Sequence, residues 1–255
     1  MTYKQVGVII QARMGSTRLP GKVLKTLSDN ETVLDLLIKR VKLSKLTDTI
    51  IIATTPDKRN ALIIDVAKSY EISYYIGSED NVLERYYKAA KEAKLDLIIR
   101  ITSDCPFIDP DIIDNMVQFY KENNYDYIKN IDKNSNFPRG LDIEVFSFKV
   151  LEEIFSLAKT RQEKEHVTYY IYTHPEKYSI GIYNIDKLQK FENLRLTIDE
   201  EKDLEMCREV YKTLIKQGKS HDFSIFDIIN IIKKNQDLMK INKDIKQKKV
   251  WIINN

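Results

Sequence analysis

Glycine is scarce in this chain, with 7 residues in 255, and proline is scarcer still, with 6. These contents exclude collagen-like chains and glycine-rich, low-complexity segments. No apolar run approaches the ~20 residues that a membrane-spanning helix needs. We therefore expect no membrane partner. Because the first residues lead directly into a strand-like run, we also expect no signal peptide.

Cysteine is nearly absent, since the chain contains only Cys105 and Cys207. Two cysteines make neither a disulfide framework nor a zinc-ligand spacing. The net charge of +3 is too small to indicate a nucleic-acid partner. Hydrophobic residues (43%) and charged residues (31%) occur at the levels of an ordinary globular protein. We therefore expect a cytoplasmic protein in a reducing compartment, with residues 1–255 forming a single domain.

Two of the few glycines, Gly15 and Gly21, fall in one loop that follows the apolar run from Val6 to Ile10. The loop, residues 11–22, reads QARMGSTRLPGK, and we call it the phosphate loop. It carries three cations and two hydroxyls, which are Arg13, Arg18, Lys22, Ser16 and Thr17. Backbone N–H groups, hydroxyls and cations after a strand are typical of a polyphosphate cradle. The alternative, a solvated basic turn, does not need so many kinds of donor.

Two common phosphate-binding loops are excluded by spacing. A P-loop has four residues between its glycines and a serine or threonine after the lysine, whereas here five residues separate Gly15 from Gly21 and Val23 follows Lys22. The chain also contains no GxGxxG dinucleotide fingerprint.

Strand-like and helical patterns alternate through the first half of the chain. The predicted strands are 6–10, 49–53, 72–76, 95–101 and 125–128, and the predicted helices cover 31–46, 81–93, a stretch after Pro56 and one that opens at Asp109-Pro110. This alternation predicts an α/β fold with a doubly wound, mostly parallel sheet.

The middle of the chain breaks this alternation. We interpret 130–193 as a small α+β excursion from the main sheet that forms one wall of the substrate site. Within and after it the pattern predicts strands at 141–146, 178–185 and 194–198 and helices at 148–157, 163–172 and 200–216. The last segment, 223–255, reads as a C-terminal helical tail, in which the lysine-rich stretch 240–249 is a solvated helix face.

Asp104 and Asp199 each follow a predicted strand. Ligands of open α/β sheets bind outside the carboxyl ends of the strands. Magnesium prefers one or two carboxylates together with waters and phosphate oxygens. Each aspartate alone could equally well cap the next helix. Together, and with the phosphate loop, they favour a magnesium site.

The loop resembles, almost letter for letter, the nucleotide loop of cytidylyltransferases that activate acidic sugars, above all the spore-coat polysaccharide biosynthesis (SpsF) type, which reads QARxxSxRLPGK. The resemblance continues through Gly77 to Arg85 and through Glu165 to Thr168, and it includes the IDEEKDLE segment that begins at Ile198. It covers nearly the whole chain. Near Asn81 the chain departs from relatives that activate octulosonate, which have an arginine there.

The resemblance implies a nucleotide-diphospho-sugar transferase fold, which is GT-A-like and Rossmann-like, and magnesium held by Asp104 and Asp199. It also implies a homodimer that forms through the excursion. The expected catalytic residues are Arg13, Lys22, Asp104 and Asp199. The expected nucleotide-binding residues are Gln11, Ala12, Arg13, Gly15, Ser16, Arg18, Lys22, Thr102 and Ser103.

Three other features have simpler interpretations. Asp109-Pro110-Asp111 resembles the DxD motif of glycosyltransferases, but proline in second place suits the start of a helix. Cys105 has no histidine base nearby in the sequence, so we expect it to pack in the core. His166, beside Glu165 in a predicted helix, is the histidine that deserves a test.

For the acceptor, the sequence offers a cation and acids around a glycine turn and on the following helices, namely Arg139, Asp142, Glu144, Glu165 and His166. An arginine can pair in a bidentate manner with a carboxylate or phosphate. The competing interpretation is that these are ordinary solvated charges.

Taken together, the sequence predicts a magnesium-dependent nucleotidyltransferase that transfers CMP from CTP to a sugar or sugar-acid oxygen and releases pyrophosphate. The alternatives are a GT-A glycosyltransferase that uses Asp109 and Asp111, and a nucleotide-binding subunit without catalysis.

Overall fold

The computed structural model describes residues 3–246, except 134, 189 and 192. In this part of the chain the strands are β1 (Val6–Gln11), β2 (Thr26–Ser28), β3 (Glu31–Thr32), β4 (Thr49–Thr54), β5 (Ser73–Ile76), β6 (Leu97–Thr102), β7 (Tyr127–Lys129), β8 (Glu144–Ser147) and β9 (Ile180–Ile182). The α-helices are α1 (Val33–Val41), α2 (Ala61–Ser69), α3 (Val82–Glu92), α4 (Pro110–Glu122), α5 (Phe148–Leu157), α6 (Arg161–Glu165), α7 (Tyr169–Thr173), α8 (Glu201–Lys216) and α9 (Ile225–Lys234). Short 3-10 helices cover Lys22–Leu24, Lys58–Asn60 and Gln236–Lys240.

The main sheet has seven strands among the described residues, in the order β5-β4-β1-β6-β8-β7-β9. The first four are parallel, and β8 runs antiparallel to both β6 and β7. The predicted α/β class and mostly parallel sheet are therefore confirmed. A separate antiparallel pair, β2 and β3, lies outside this sheet.

Helices cover both faces of the sheet because its central strands are apolar on both sides. In β1, Val8 and Ile10 pack into one core cluster with residues of α1, α4, α8 and α9, whereas Ile9 packs into the other with residues of α3 and α5. Continuous apolar runs of this kind are typical of buried parallel strands. The phosphate loop and Asp104 leave the carboxyl ends of the neighbouring strands β1 and β6.

Capping side chains decide where several helices begin. The first helix was predicted from Glu31, but Glu31 and Thr32 form β3, and Thr32 then caps α1 in a capping box with Asp35. Asp109 caps α4, with Pro110 in the first turn. The predicted capping role of Asp109 is thus confirmed.

The segment 130–193 is less separate than predicted, since β8 and β9 belong to the main sheet. The predicted helix 163–172 is interrupted between α6 and α7, where His166 ends α6 with an extended backbone. The predicted strand 194–198 does not join the sheet, and Arg195 makes only an isolated bridge with Arg139. Within 241–246 no helix continues the tail. The rest of the predicted tail, 247–255, lies outside the described residues.

Among the residues that the structure describes, no helix combines the length and the apolar character needed to cross a lipid bilayer.

Candidate active site

The phosphate loop is a turn held by its own backbone. The carbonyl oxygen of Met14 accepts hydrogen bonds from the N–H groups of Ser16 (3.0 Å) and Gly21 (3.1 Å). Gly21 has a φ of 66°, a left-handed conformation that favours glycine. Gly15 has no such constraint, because a Cβ atom there would meet nothing nearer than 3.7 Å.

A buried asparagine outside the loop fixes its position. Asn60 accepts a hydrogen bond from the Met14 N–H (2.8 Å) and donates to the carbonyl and hydroxyl oxygens of Thr55. The phosphate loop is therefore anchored to the residues that follow β4. Its contact lies 46 positions away in the sequence, so no local pattern could have indicated it.

Lys22 brings the two predicted magnesium ligands together. Its Nζ lies 2.7 Å from a carboxylate oxygen of Asp104 and 2.9 Å from one of Asp199. Arg18 also reaches Asp199, at 2.9 Å. Neither aspartate caps the following helix, because Glu200 is the N-cap of α8 and the Asp104 carboxylate accepts from the Thr102 hydroxyl and from Lys22.

The charges of this cluster stabilise one another. Burial would lower the pKa of Lys22, but the carboxylates of Asp104 and Asp199 raise it above its ordinary value of 10.5. Burial would raise the pKa of Asp199, but Lys22, Arg18 and Arg195 lower it below 3.8. At neutral pH the cluster therefore holds a protonated lysine against an ionised carboxylate.

A second layer of buried groups orients Asp199. Arg195 donates from Nη2 to the Asp199 carboxylate and from Nε to Asp203 (3.0 Å). Asp203 is fully buried and also accepts from the N–H groups of Asp199 and Glu200. Asn242 donates to Asp203 and to the carbonyl oxygen of Arg195. Arg195, Asp203 and Asn242 therefore position Asp199. We call these three residues the Asp199 support.

A cavity of about 280 Å³ opens beside the phosphate loop. All nine residues predicted to bind the nucleotide line this cavity, together with Asp104, Glu165 and His166. Val82 and Arg85, for which the sequence suggested no role, also line it. We call this space the nucleotide cavity.

The five residues predicted to bind the acceptor do not share one space. Arg139, Asp142 and Glu144 line a neighbouring cavity of about 1030 Å³, whereas Glu165 and His166 line the nucleotide cavity. Arg139 pairs with Asp142 at 2.9 Å, and its side chain remains about half exposed. The glycine between them is required, because a Cβ atom at Gly140 would lie 2.4 Å from the backbone of Leu196.

Arg100 connects residues that line these two cavities. It donates from Nη1 to Glu144 (3.0 Å) and from Nη2 to the side chain of Gln11 (3.2 Å), and Glu144 also accepts from Thr168 (2.9 Å). Glu144 is therefore a paired carboxylate and not a solvated surface charge. Its partner holds the side chain of Gln11, which lines the nucleotide cavity.

Two further candidates behave as structural residues. Asp109 is buried and accepts hydrogen bonds from backbone N–H groups at the start of α4 and from Ile225 (2.7 Å). Cys105 is buried, and burial raises the pKa of its thiol well above the ordinary value.

His166 lies in the nucleotide cavity, and burial lowers its pKa, so it is neutral at pH 7.

The fold and the site together define an α/β nucleotidyltransferase. Over residues 7–249 the chain matches the family model described as Cytidylyltransferase, and it therefore belongs to the cytidylyltransferase family.

Several relatives agree with this assignment. The chain is 38% identical to an uncharacterised protein of Methanocaldococcus jannaschii, with 94% of this chain and 95% of that protein covered. It is 36% identical to the spore coat polysaccharide biosynthesis protein SpsF of Bacillus subtilis, over 90% of this chain and 94% of the relative. A solved cytidylyltransferase from Leptospira borgpetersenii superimposes with a TM-score of 0.85 at 33% identity, covering 96% of this chain and 99% of the other.

A more distant likeness concerns the fold alone. A structure of CMP:2-keto-3-deoxy-manno-octonic acid synthetase complexed with CTP superimposes with a TM-score of 0.61 at 15% identity, over 84% of this chain and 100% of the other.

Proposed function

We propose that this protein transfers CMP from CTP to an oxygen of a sugar or sugar acid, with release of pyrophosphate, in the biosynthesis of a surface polysaccharide or glycan. The observation that carries the proposal is the bridge from Lys22 to both Asp104 and Asp199 at the nucleotide cavity. The kind of nucleotide is supported by the family to which the chain belongs. The name of the Bacillus subtilis relative supports the role in a polysaccharide pathway.

The cations of the phosphate loop would bind the triphosphate. Lys22 already lies among acids, and Arg18 lies beside it. Arg13 is about half exposed and pairs with Glu79 at 3.3 Å, a surface contact that contributes little to stability and that an incoming phosphate can replace. Fixed cations of this kind stabilise the charge that develops on the phosphates during transfer.

The donor set at this position fits magnesium. Two carboxylates, from Asp104 and Asp199, converge on one cationic atom, and both offer the oxygen ligands that magnesium prefers. In the described part of the chain no group of three or more metal-binding side chains is found. A cation held by two carboxylates and completed by phosphate oxygens and water needs no third protein ligand. When bound, magnesium would neutralise phosphate charge in the transfer step.

In the reaction, an acceptor oxygen attacks the α-phosphorus of CTP. A new P–O bond forms to the acceptor, the acceptor hydroxyl gives up its proton to solvent, and the bond between the α-phosphorus and the bridging oxygen of the β-phosphate breaks. The electron pair of that bond leaves with pyrophosphate. Such a transfer depends on positioning and on charge stabilisation more than on covalent participation by the protein.

The acceptor would approach from the side of Glu144, where the larger cavity adjoins the site. Arg139 can offer a bidentate contact to a carboxylate or phosphate of the acceptor once it leaves Asp142. Glu165 and His166 would instead contact the part of the acceptor nearest to the nucleotide, since they line the nucleotide cavity. A homodimer formed through 130–193 is part of the same proposal, by analogy with the family.

A pyrophosphate-release screen tests this function. The full-length protein with Mg²⁺ is given each of the four nucleoside triphosphates in combination with a panel of sugar acids, phosphorylated sugars and polyols. Release of pyrophosphate that requires both CTP and an acceptor is the expected result. The protein is also given nucleotide sugars with the same acceptors, and release of a nucleoside diphosphate there, without pyrophosphate release from CTP, would contradict the proposal.

A further inference from the structure

Arg85 lies in the first turns of α3 and lines the nucleotide cavity, although the sequence suggested no role for it. The residue is only 2% exposed. A guanidinium carries five N–H donors and accepts no hydrogen bond. Among the described residues, the hydrogen bond that Arg85 makes runs from Nη1 to the carbonyl oxygen of Ser78, at 2.6 Å. Its Nε is buried without a partner.

This arrangement fixes the position of the Arg85 guanidinium and leaves most of its N–H donors without an acceptor from the part of the chain that the structure describes. Gly77 packs against the stem of Arg85 so closely that a Cβ atom there would lie 3.1 Å from Cγ. A buried polar group without a partner is costly, and native proteins retain one mainly where a ligand or function requires it. Because Arg85 also lines the nucleotide cavity, a bound molecule can supply acceptors to its remaining donors.

The sheet order shows which part of a nucleotide Arg85 would meet. Gly77, against which Arg85 packs, is hydrogen-bonded to Thr54 at the end of β4, whereas Asp104 follows β6. Since β1 lies between these strands and neighbouring strands are about 4.8 Å apart, the two ends are separated by roughly 10 Å. A nucleotide with its phosphates at Lys22 and Asp104 would therefore direct its base toward Arg85 and Val82.

We propose that Arg85 recognises the base of the bound nucleotide and makes the site prefer cytosine to uracil. This inference rests on the proposed function, because it assumes a pyrimidine nucleotide in the cavity. Cytosine presents two adjacent acceptors, O2 and N3, which a donor-only guanidinium can contact together. Uracil carries a hydrogen on N3, so the same guanidinium would face a donor and lose one of its contacts.

The test compares the binding of three probes in the presence of Mg²⁺ by titration calorimetry, namely CTP, UTP and inorganic tripolyphosphate. The proteins are the full-length wild type, Arg85→Lys and the control Arg161→Lys. Lysine keeps the charge but cannot make the two-point contact. Arg161 lies at the start of α6 and is 90% exposed in its side chain, so its replacement should leave all three affinities unchanged. Thermal melting checks that Arg85→Lys is folded.

We expect wild type to bind CTP more tightly than UTP by a factor on the order of ten or more, since a charged hydrogen bond is lost with uracil. Arg85→Lys should lose most of this preference and keep its affinity for tripolyphosphate. If Arg85→Lys weakens all three probes equally, Arg85 binds phosphate and the inference is wrong. If the variant keeps the wild-type ratio of CTP to UTP, the inference is also wrong.

One measurement does not depend on the variant. Wild type should bind 3-deaza-CTP, which lacks the N3 acceptor, less tightly than CTP, and equal affinities would overturn the inference. Failure of the proposed function gives a different result. If wild type binds no CTP, both the function and this inference fail, whereas CTP-dependent pyrophosphate release with an unchanged CTP-to-UTP ratio in Arg85→Lys removes the inference alone.

Discussion

Lys22 donates to two carboxylates at once and also lines the cavity in which the triphosphate would bind. Since its pKa is raised, the ammonium keeps its charge throughout the neutral range. We expect Lys22→Ala to lower turnover on the order of a hundredfold or more, as the loss of a donor to a developing anion does. Pyrophosphate release under saturating CTP measures this effect.

Lys25→Ala is the matched control, because Lys25 follows closely in the sequence and pairs instead with the exposed Glu201 at 3.3 Å. It should retain turnover near that of the wild type. Unchanged turnover in Lys22→Ala would remove Lys22 from the catalytic group.

The two carboxylates that Lys22 contacts lead to a separate prediction about magnesium. Asp104→Asn and Asp199→Asn should each raise the Mg²⁺ concentration needed for half-maximal activity and lower turnover, because the amide keeps the shape but removes the charge. The measurement is activity as a function of Mg²⁺. Asp111→Asn is the control, since Asp111 is an exposed residue of α4. An equal effect in Asp111→Asn would favour a glycosyltransferase-like metal site instead.

At the scale of secondary-structure elements, the buried Asp199 support lies at the start of α8. Asp203 pairs with Arg195 and accepts from two backbone N–H groups ahead of the helix. Removing one member of a buried pair leaves an incompletely compensated charge, so Asp203→Ala should lower the free energy of unfolding by about 3–5 kcal/mol. Urea denaturation at neutral pH measures the change.

Glu205→Ala, on the exposed face of the same helix, should change the free energy of unfolding by less than about 0.5 kcal/mol. Equal stability of Asp203→Ala and wild type would show that the Asp199 support does not hold the start of α8.

The elements also show where sequence patterns stop being informative. The alternation at 194–198 correctly indicates that Leu194, Leu196 and Ile198 are buried, but Arg195 and Thr197 between them are buried as well. It does not indicate pairing, because the segment is held by single hydrogen bonds to Arg139 and Asp104 and not by a ladder. Periodicity indicates which apolar side chains are buried, whereas the burial of polar side chains and the pairing of strands depend on which parts of the chain lie alongside.

At the scale of the whole molecule, the charge cluster couples stability to pH. The pKa of Asp199 is lower in the folded protein than its ordinary value of 3.8, so its ion pairs contribute stability above that value. This contribution is lost as the pH falls through the lower folded-state pKa. The free-energy difference between wild type and Asp199→Asn should therefore be constant from neutral pH down to about 4 and shrink below it.

Urea denaturation of both proteins at several acidic pH values measures this difference. A difference that stays the same at pH values well below the ordinary pKa of aspartate would show that the ionised Asp199 is not what stabilises the folded state.

The sequence was sufficient to identify the phosphate loop and the two carboxylates of the site, but not the buried residues that position them. The phosphate loop could be read because its glycines, cations and hydroxyls are contiguous, and Asp104 and Asp199 could be read because each follows an apolar run. Asn60 and Asn242 act through contacts that span many positions, such as the 47 positions between Asn242 and Arg195. Their partners depend on how the sheet and α8 are arranged in space.

The distances along the chain within the Lys22 cluster have a consequence for the order of folding. Lys22 lies 82 positions from Asp104 and 177 from Asp199. A contact that closes a longer loop costs more conformational entropy, so we expect the contact with Asp199 to form after the contact with Asp104. On the ribosome, a chain that has already formed β1 and β6 would still lack its second carboxylate. Catalytic activity should therefore return after the sheet during refolding, which makes it a measure of complete assembly.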